Sequence, residues 1–92
     1  MKLQEVYKET LDEFNAISHD CELLEKLKCH IKAVKESGEY KMLNVRIALD
    51  IMRWIIGTQR MCDWYRKYGC NDEHITTLAL RCMRESKLDE LL

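Results

Sequence analysis

Proline is absent from the chain, and glycine occurs only three times, at Gly38, Gly57 and Gly69. That removes most of the punctuation used by sheets and long loops, and leaves few places where the backbone turns easily through positive φ. Nowhere is there an uninterrupted apolar run approaching the ~18 residues that a bilayer-spanning helix requires. The opening stretch MKLQEVYKETLDEF interleaves charged with apolar residues and holds no apolar segment of signal-peptide type. A surplus of one charge is also missing: 15 Lys and Arg stand against 16 Asp and Glu, a net charge of -1, which argues against a general polyanion binder.

What is present points one way. Hydrophobic residues make up 47% of the 92, enough for a core, and the rest is dominated by lysine, glutamate and arginine, which are good helix formers. The expected fold is all-α, a small bundle of three to four antiparallel helices in one domain spanning residues 1–92. Five cysteines without any Cys-x-x-Cys spacing match no zinc framework. They read as reduced thiols used as small apolar groups, which implies a cytoplasmic setting with no metal and no cofactor.

Between Lys2 and Ser37 apolar residues recur every three or four positions, among them Tyr7, Leu11, Phe14, Ile17, Leu24, Leu27, Ile31 and Val34. The drift of this stripe resembles a seven-residue repeat and favours a long helix. The one break in prospect is Ser18-His19-Asp20, where Ser18 or Asp20 can cap a second helix. One helix and two both remain open here. Gly38 is placed to end the segment in a left-handed conformation.

A second helix is expected from about Lys41 to Tyr68, ending at Gly69. Its apolar face has Leu43, Ile47, Ile51, Trp54, Cys62 and Tyr65 in the middle, widened by Ala48, Leu49, Met52, Ile55 and Ile56. A helix apolar over so much of its girth is a central one. Three unequal helices would not cover it, so a homodimer follows, with Leu49, Met52, Ile56 or the C-terminal leucines at the contact. Asn71 or Asp72 caps a third helix, and Ser86-Lys87-Leu88-Asp89 has the form of a capping box before a kink or short terminal helix.

Charge is distributed unevenly: residues 1–37 carry -2, residues 38–71 carry +3, and residues 72–92 carry -2. Within the basic segment Arg46, Arg53, Arg60 and Lys67 fall seven residues apart, which on one helix makes a nearly straight ridge. Gly57 lies on that ridge, where the lack of a side chain admits another backbone or a flat ligand. The ridge has a bland reading, as solvated surface or as partner to acids of the flanking helices. The sharper reading is a recognition stripe, since arginine binds carboxylate or phosphate through two hydrogen bonds.

The expected function is therefore that of a non-catalytic adaptor or inhibitor, of a size and build often seen in phage and mobile-element accessory proteins. It would dock Arg46, Arg53, Gly57, Arg60, Trp64 and Lys67 on an acidic protein surface. Nucleic acid is the alternative partner, with Trp64 and Tyr68 stacking on bases beside the ridge. Catalysis finds little support: Cys70 and His74 flank a helix start, where a thiol's pKa can be lowered, but no nucleophile–base pair or oxyanion donor accompanies them.

Overall fold

A computed structural model describes residues 3–39 and 41–92. Five α-helices follow one another: α1 (Leu3–Ser18), α2 (Cys21–Ser37), α3 (Leu43–Ile55), α4 (Thr58–Tyr68) and α5 (Asp72–Glu85), with a 3-10 turn at Leu88–Leu91. The all-α class holds, but among the described residues the α-helices number five rather than three to four, because the first segment takes its two-helix alternative and the expected rod from Lys41 to Tyr68 is broken.

The first break falls where the sequence permitted one. The amides of His19 and Asp20 reach back three residues to Ala16 and Ile17, at 3.2 Å each, and tighten the last turn of α1. Asp20 then starts α2, its carboxylate accepting from the backbone amides of Glu22 (3.0 Å) and Leu23 (3.1 Å). Ser18 takes no part in the cap. Freed from a continuous seven-residue repeat, α1 buries Val6, Thr10, Phe14 and Ile17, while Tyr7 and Leu11 are only half-buried at the margin. Thr10 is accommodated because its hydroxyl donates to the Val6 carbonyl at 2.6 Å. α2 buries Leu27, Ile31 and Val34 and ends at Gly38 with φ 66°, as expected.

The second break corrects the long helix from Lys41 to Tyr68. α3 stops at Ile55, the amides of Ile56 and Gly57 both point to the Met52 carbonyl, and Gly57 takes φ 86°, ψ 156°. That combination is essentially reserved for glycine. Nothing lies within 4 Å of the position a Cβ would occupy on Gly57. Glycine is therefore required there for backbone freedom rather than for a close approach, and α4 sets off from it as a separate helix.

α3 is central all the same. It packs on α5, α1 and α2, and buries Ile47, Ala48, Ile51 and Met52. Met52 and Ile56, expected at a dimer contact, are thus inside the chain's own core. Asn71 caps α5 in a reciprocal box: its side chain accepts from the His74 amide (2.9 Å) while the His74 ring accepts from the Asn71 amide (3.2 Å). The second expected box does not form. The Ser86 hydroxyl turns back to the Met83 carbonyl, Lys87 adopts φ 63°, and the 3-10 turn is held by the buried Leu88.

Candidate functional site

Because Gly57 separates α3 from α4, the four cations do not form one ridge. Arg46 and Arg53 belong to α3 and share Asp50, which lies four residues after the first and three before the second. Arg46 Nε donates to Asp50 Oδ2 at 3.0 Å, and Arg53 Nη1 to Asp50 Oδ1 at 3.2 Å. A third donor arrives from α2, where His30 Nε2 lies 2.8 Å from Asp50 Oδ2. Exposed pairs of this kind contribute about 0–1 kcal/mol of stability. Their larger effect is orientation: each guanidinium has five N–H groups and commits one to Asp50.

Beside this cluster opens a cleft of about 440 Å³ between α2 and α3. Leu27 and Ile51 form its apolar floor, and Lys26, His30, Arg53 and Trp54 its rim. Trp54 was expected in the core, yet it is 44% exposed. With Met42, at 61%, it is one of two exposed large hydrophobic residues among those described. The two stand at opposite ends of α3, Met42 one turn before Arg46 and Trp54 directly after Arg53. The signal for Trp54 lay in its spacing from Asp50: four residues on, it shares that residue's side of the helix. His30 left no comparable trace, since it reaches the site from another helix.

The α4 half has a different fate. Arg60 reaches across to α1, where Nη1 donates to Glu13 Oε1 at 3.0 Å and Nη2 lies 3.7 Å from Glu9 Oε2. The other Glu13 oxygen, Oε2, is buried with no hydrogen bond. Arg60 also sits 6.0 Å from the centre of the Trp64 ring, and Lys67 Nζ is 5.6 Å from that of Tyr68. Trp64 itself is buried, at 6% exposure, and Tyr68 is half-buried. Of the six residues expected to meet a partner, Arg46 and Arg53 come together. Gly57 is a joint, Arg60 is tied to the chain's own acids, Trp64 is core, and Lys67 lies on α4, apart from the pair. The expected stacking pair, Trp64 and Tyr68, is not displayed.

The turn after α4 is equally self-contained. Tyr65 donates to Asp72 Oδ1 at 2.7 Å, and the bond to that carboxylate, with burial and the carboxylate's charge, pushes the phenol up to about 12. Burial raises the Cys70 thiol rather than lowering it, and pushes Cys82 up to about 12, so neither is poised as a nucleophile. The His74 ring is engaged in the capping box of α5, accepting from the Asn71 amide. Among the described residues no group of three or more His, Cys, Asp or Glu could hold a metal ion, and no helix is long and apolar enough to cross a membrane. No protein family, curated protein or solved structure matches the chain.

Proposed function

We propose that the protein is a non-catalytic interaction module, a small cytoplasmic adaptor or inhibitor that docks the outer side of α3 on an acidic surface of a partner protein. The observation that carries this reading is the position of Trp54 and Met42, which bracket Arg46 and Arg53. Tryptophan, methionine and arginine are the residues enriched where proteins meet, and a Trp beside a cleft suits the anchor of such a contact. The N–H groups that Arg46 and Arg53 do not give to Asp50 are available to a partner's carboxylates, two at a time. A second copy of this chain is the poorer occupant, because a two-fold contact through the strip would set arginines against arginines.

The test is affinity capture from the native cell with tagged wild-type protein, Arg53→Glu, Trp54→Ala and Arg60→Gln, each checked for unchanged helicity by circular dichroism. A protein captured by the wild type and by Arg60→Gln, lost with Arg53→Glu and with Trp54→Ala, and indifferent to nuclease is the expected result. Capture that survives the Arg53 and Trp54 changes combined, or that vanishes with nuclease, overturns the proposal.

A further inference from the structure

A second concave region, of about 330 Å³, lies between α1 and α5. His74, Thr77, Leu78 and Arg81 border it at the i, i+3, i+4 and i+7 spacing of a single helix face. From α1 comes Tyr7, whose ring centre is 4.0 Å from the Arg81 guanidinium carbon. Arg81 differs from Arg46, Arg53 and Arg60, described above, and from Arg66, which lies 2.8 Å from Asp63: those four all meet a carboxylate, and Arg81, like Arg84, meets none among the described residues. Held against the tyrosine ring, the guanidinium is partly positioned in advance while its N–H groups stay free. A guanidinium held this way loses less freedom when it binds a planar anion.

The other end of the groove has its own chemistry. The Nδ1 of His74 accepts from the Asn71 amide, so in the neutral ring the proton sits on Nε2 and that atom is a donor. Beside it Glu73 supplies an acceptor and a negative charge. From His74 to Arg81 the helix advances roughly 10 Å, with Leu78, half-buried, between them. Charge, apolar contact and mixed hydrogen bonding thus follow one another along one line.

The geometry points to a binding site for a small monocarboxylic acid with an apolar body and an uncharged hydrogen-bonding group at its far end. The carboxylate pairs with the free edge of Arg81, the body lies on Leu78, and the far group exchanges hydrogen bonds with His74 and Glu73. Glu73 disfavours a second acid at that end, so a dicarboxylate is rejected. Inorganic phosphate would engage Arg81 but leave the apolar stretch uncovered.

The experiment is a titration of ¹⁵N-labelled full-length protein with 4-hydroxyphenylacetate, followed by amide shifts. Saturable shifts at Thr77, Leu78 and Arg81 with Kd on the order of 1 mM or tighter are expected. Tyramine, with an amine in place of the acid, and inorganic phosphate should not saturate these amides. Arg81→Gln should weaken binding by about tenfold or more, and Arg81→Lys should recover little of it, because the lysine lacks the planar fork. Circular dichroism confirms that both variants fold. Absence of saturation in the wild type, equal affinity in Arg81→Gln, equal saturation by phosphate or tyramine, or shifts centred on Arg53 and Trp54 instead, each overturns the assignment. The last result would leave the α3 docking reading standing, since the two sites share no residue.

Discussion

The α3 and α4 segments carry matching equipment and use it in opposite ways. Each has an arginine of the seven-residue series and a tryptophan close behind it, Arg53 with Trp54 and Arg60 with Trp64. In α3 the tryptophan is 44% exposed, and the arginine pairs within its own helix. In α4 the tryptophan is 6% exposed, and the arginine crosses to Glu9 and Glu13 of α1. The joint at Gly57 contributes to the difference, together with the offset of the tryptophan, one residue after Arg53 but four after Arg60. A repeat of seven keeps residues on one side only while the helix is continuous, and one residue outside helical φ and ψ gives the next helix a new axis and phase. A like motif therefore becomes surface on one side of the joint and core on the other.

The tryptophans give the strongest way to break this contrast. Trp64→Ala should cost about 3–5 kcal/mol of stability, the range for emptying a large aromatic site in a core. Trp54→Ala should stay within about 0.5 kcal/mol, as an exposed substitution does. Urea unfolding of the two variants measures both, and similar losses would end the distinction between the two halves.

Gly57→Ala sharpens the role of the joint. No neighbouring atom obstructs the added methyl, so its cost is backbone strain alone, about 1–3 kcal/mol at this φ and ψ. Gly38→Ala, at a left-handed cap with φ 66°, should cost less, about 1 kcal/mol. A neutral Gly57→Ala would mean that α3 and α4 can run on as one rod, which would restore the ridge.

An effect smaller than the loss of Trp64 concerns the far end of α4. The Tyr65 phenol holds its proton more tightly folded, at about 12, than at its ordinary value of 10. This contribution to stability is whole below pH 10 and is lost as the pH rises through 12. Tyr65→Phe removes the hydrogen bond to Asp72, for a loss of about 1 kcal/mol at neutral pH. The gap between wild type and variant, followed by urea unfolding, should stay constant up to pH 10 and close above it. A gap unchanged at pH 12 would show that Asp72 does not hold the phenol.

The local signals in the sequence translated well. Asp20, Gly38, Gly69 and Asn71 end or begin helices where their chemistry allows, since capping involves only a few neighbouring amides and carbonyls. The expected continuity of the helix through Gly57 does not hold. Read as a gap for a partner's approach, Gly57 is instead the residue that lets the chain leave α3. A glycine between Ile56 and Thr58 does not announce which of these it is, because the choice depends on whether α3 and α4 can both find cover along one axis. Trp54 and Cys62 were likewise placed on an apolar face that, once the rod divides, no longer runs past them; both are exposed.

From its amino acids alone this protein was bound to be helical, closed by recognisable caps and basic in its middle third, because propensity, periodicity and charge are properties of short stretches of chain. Tertiary packing decided which basic residues face outward. That required Glu13 to reach Arg60, and His30 to reach Asp50, across 47 and 20 positions of sequence respectively. No local rule links residues so far apart; only the burial of α3 by α1, α2 and α5 brings them within reach.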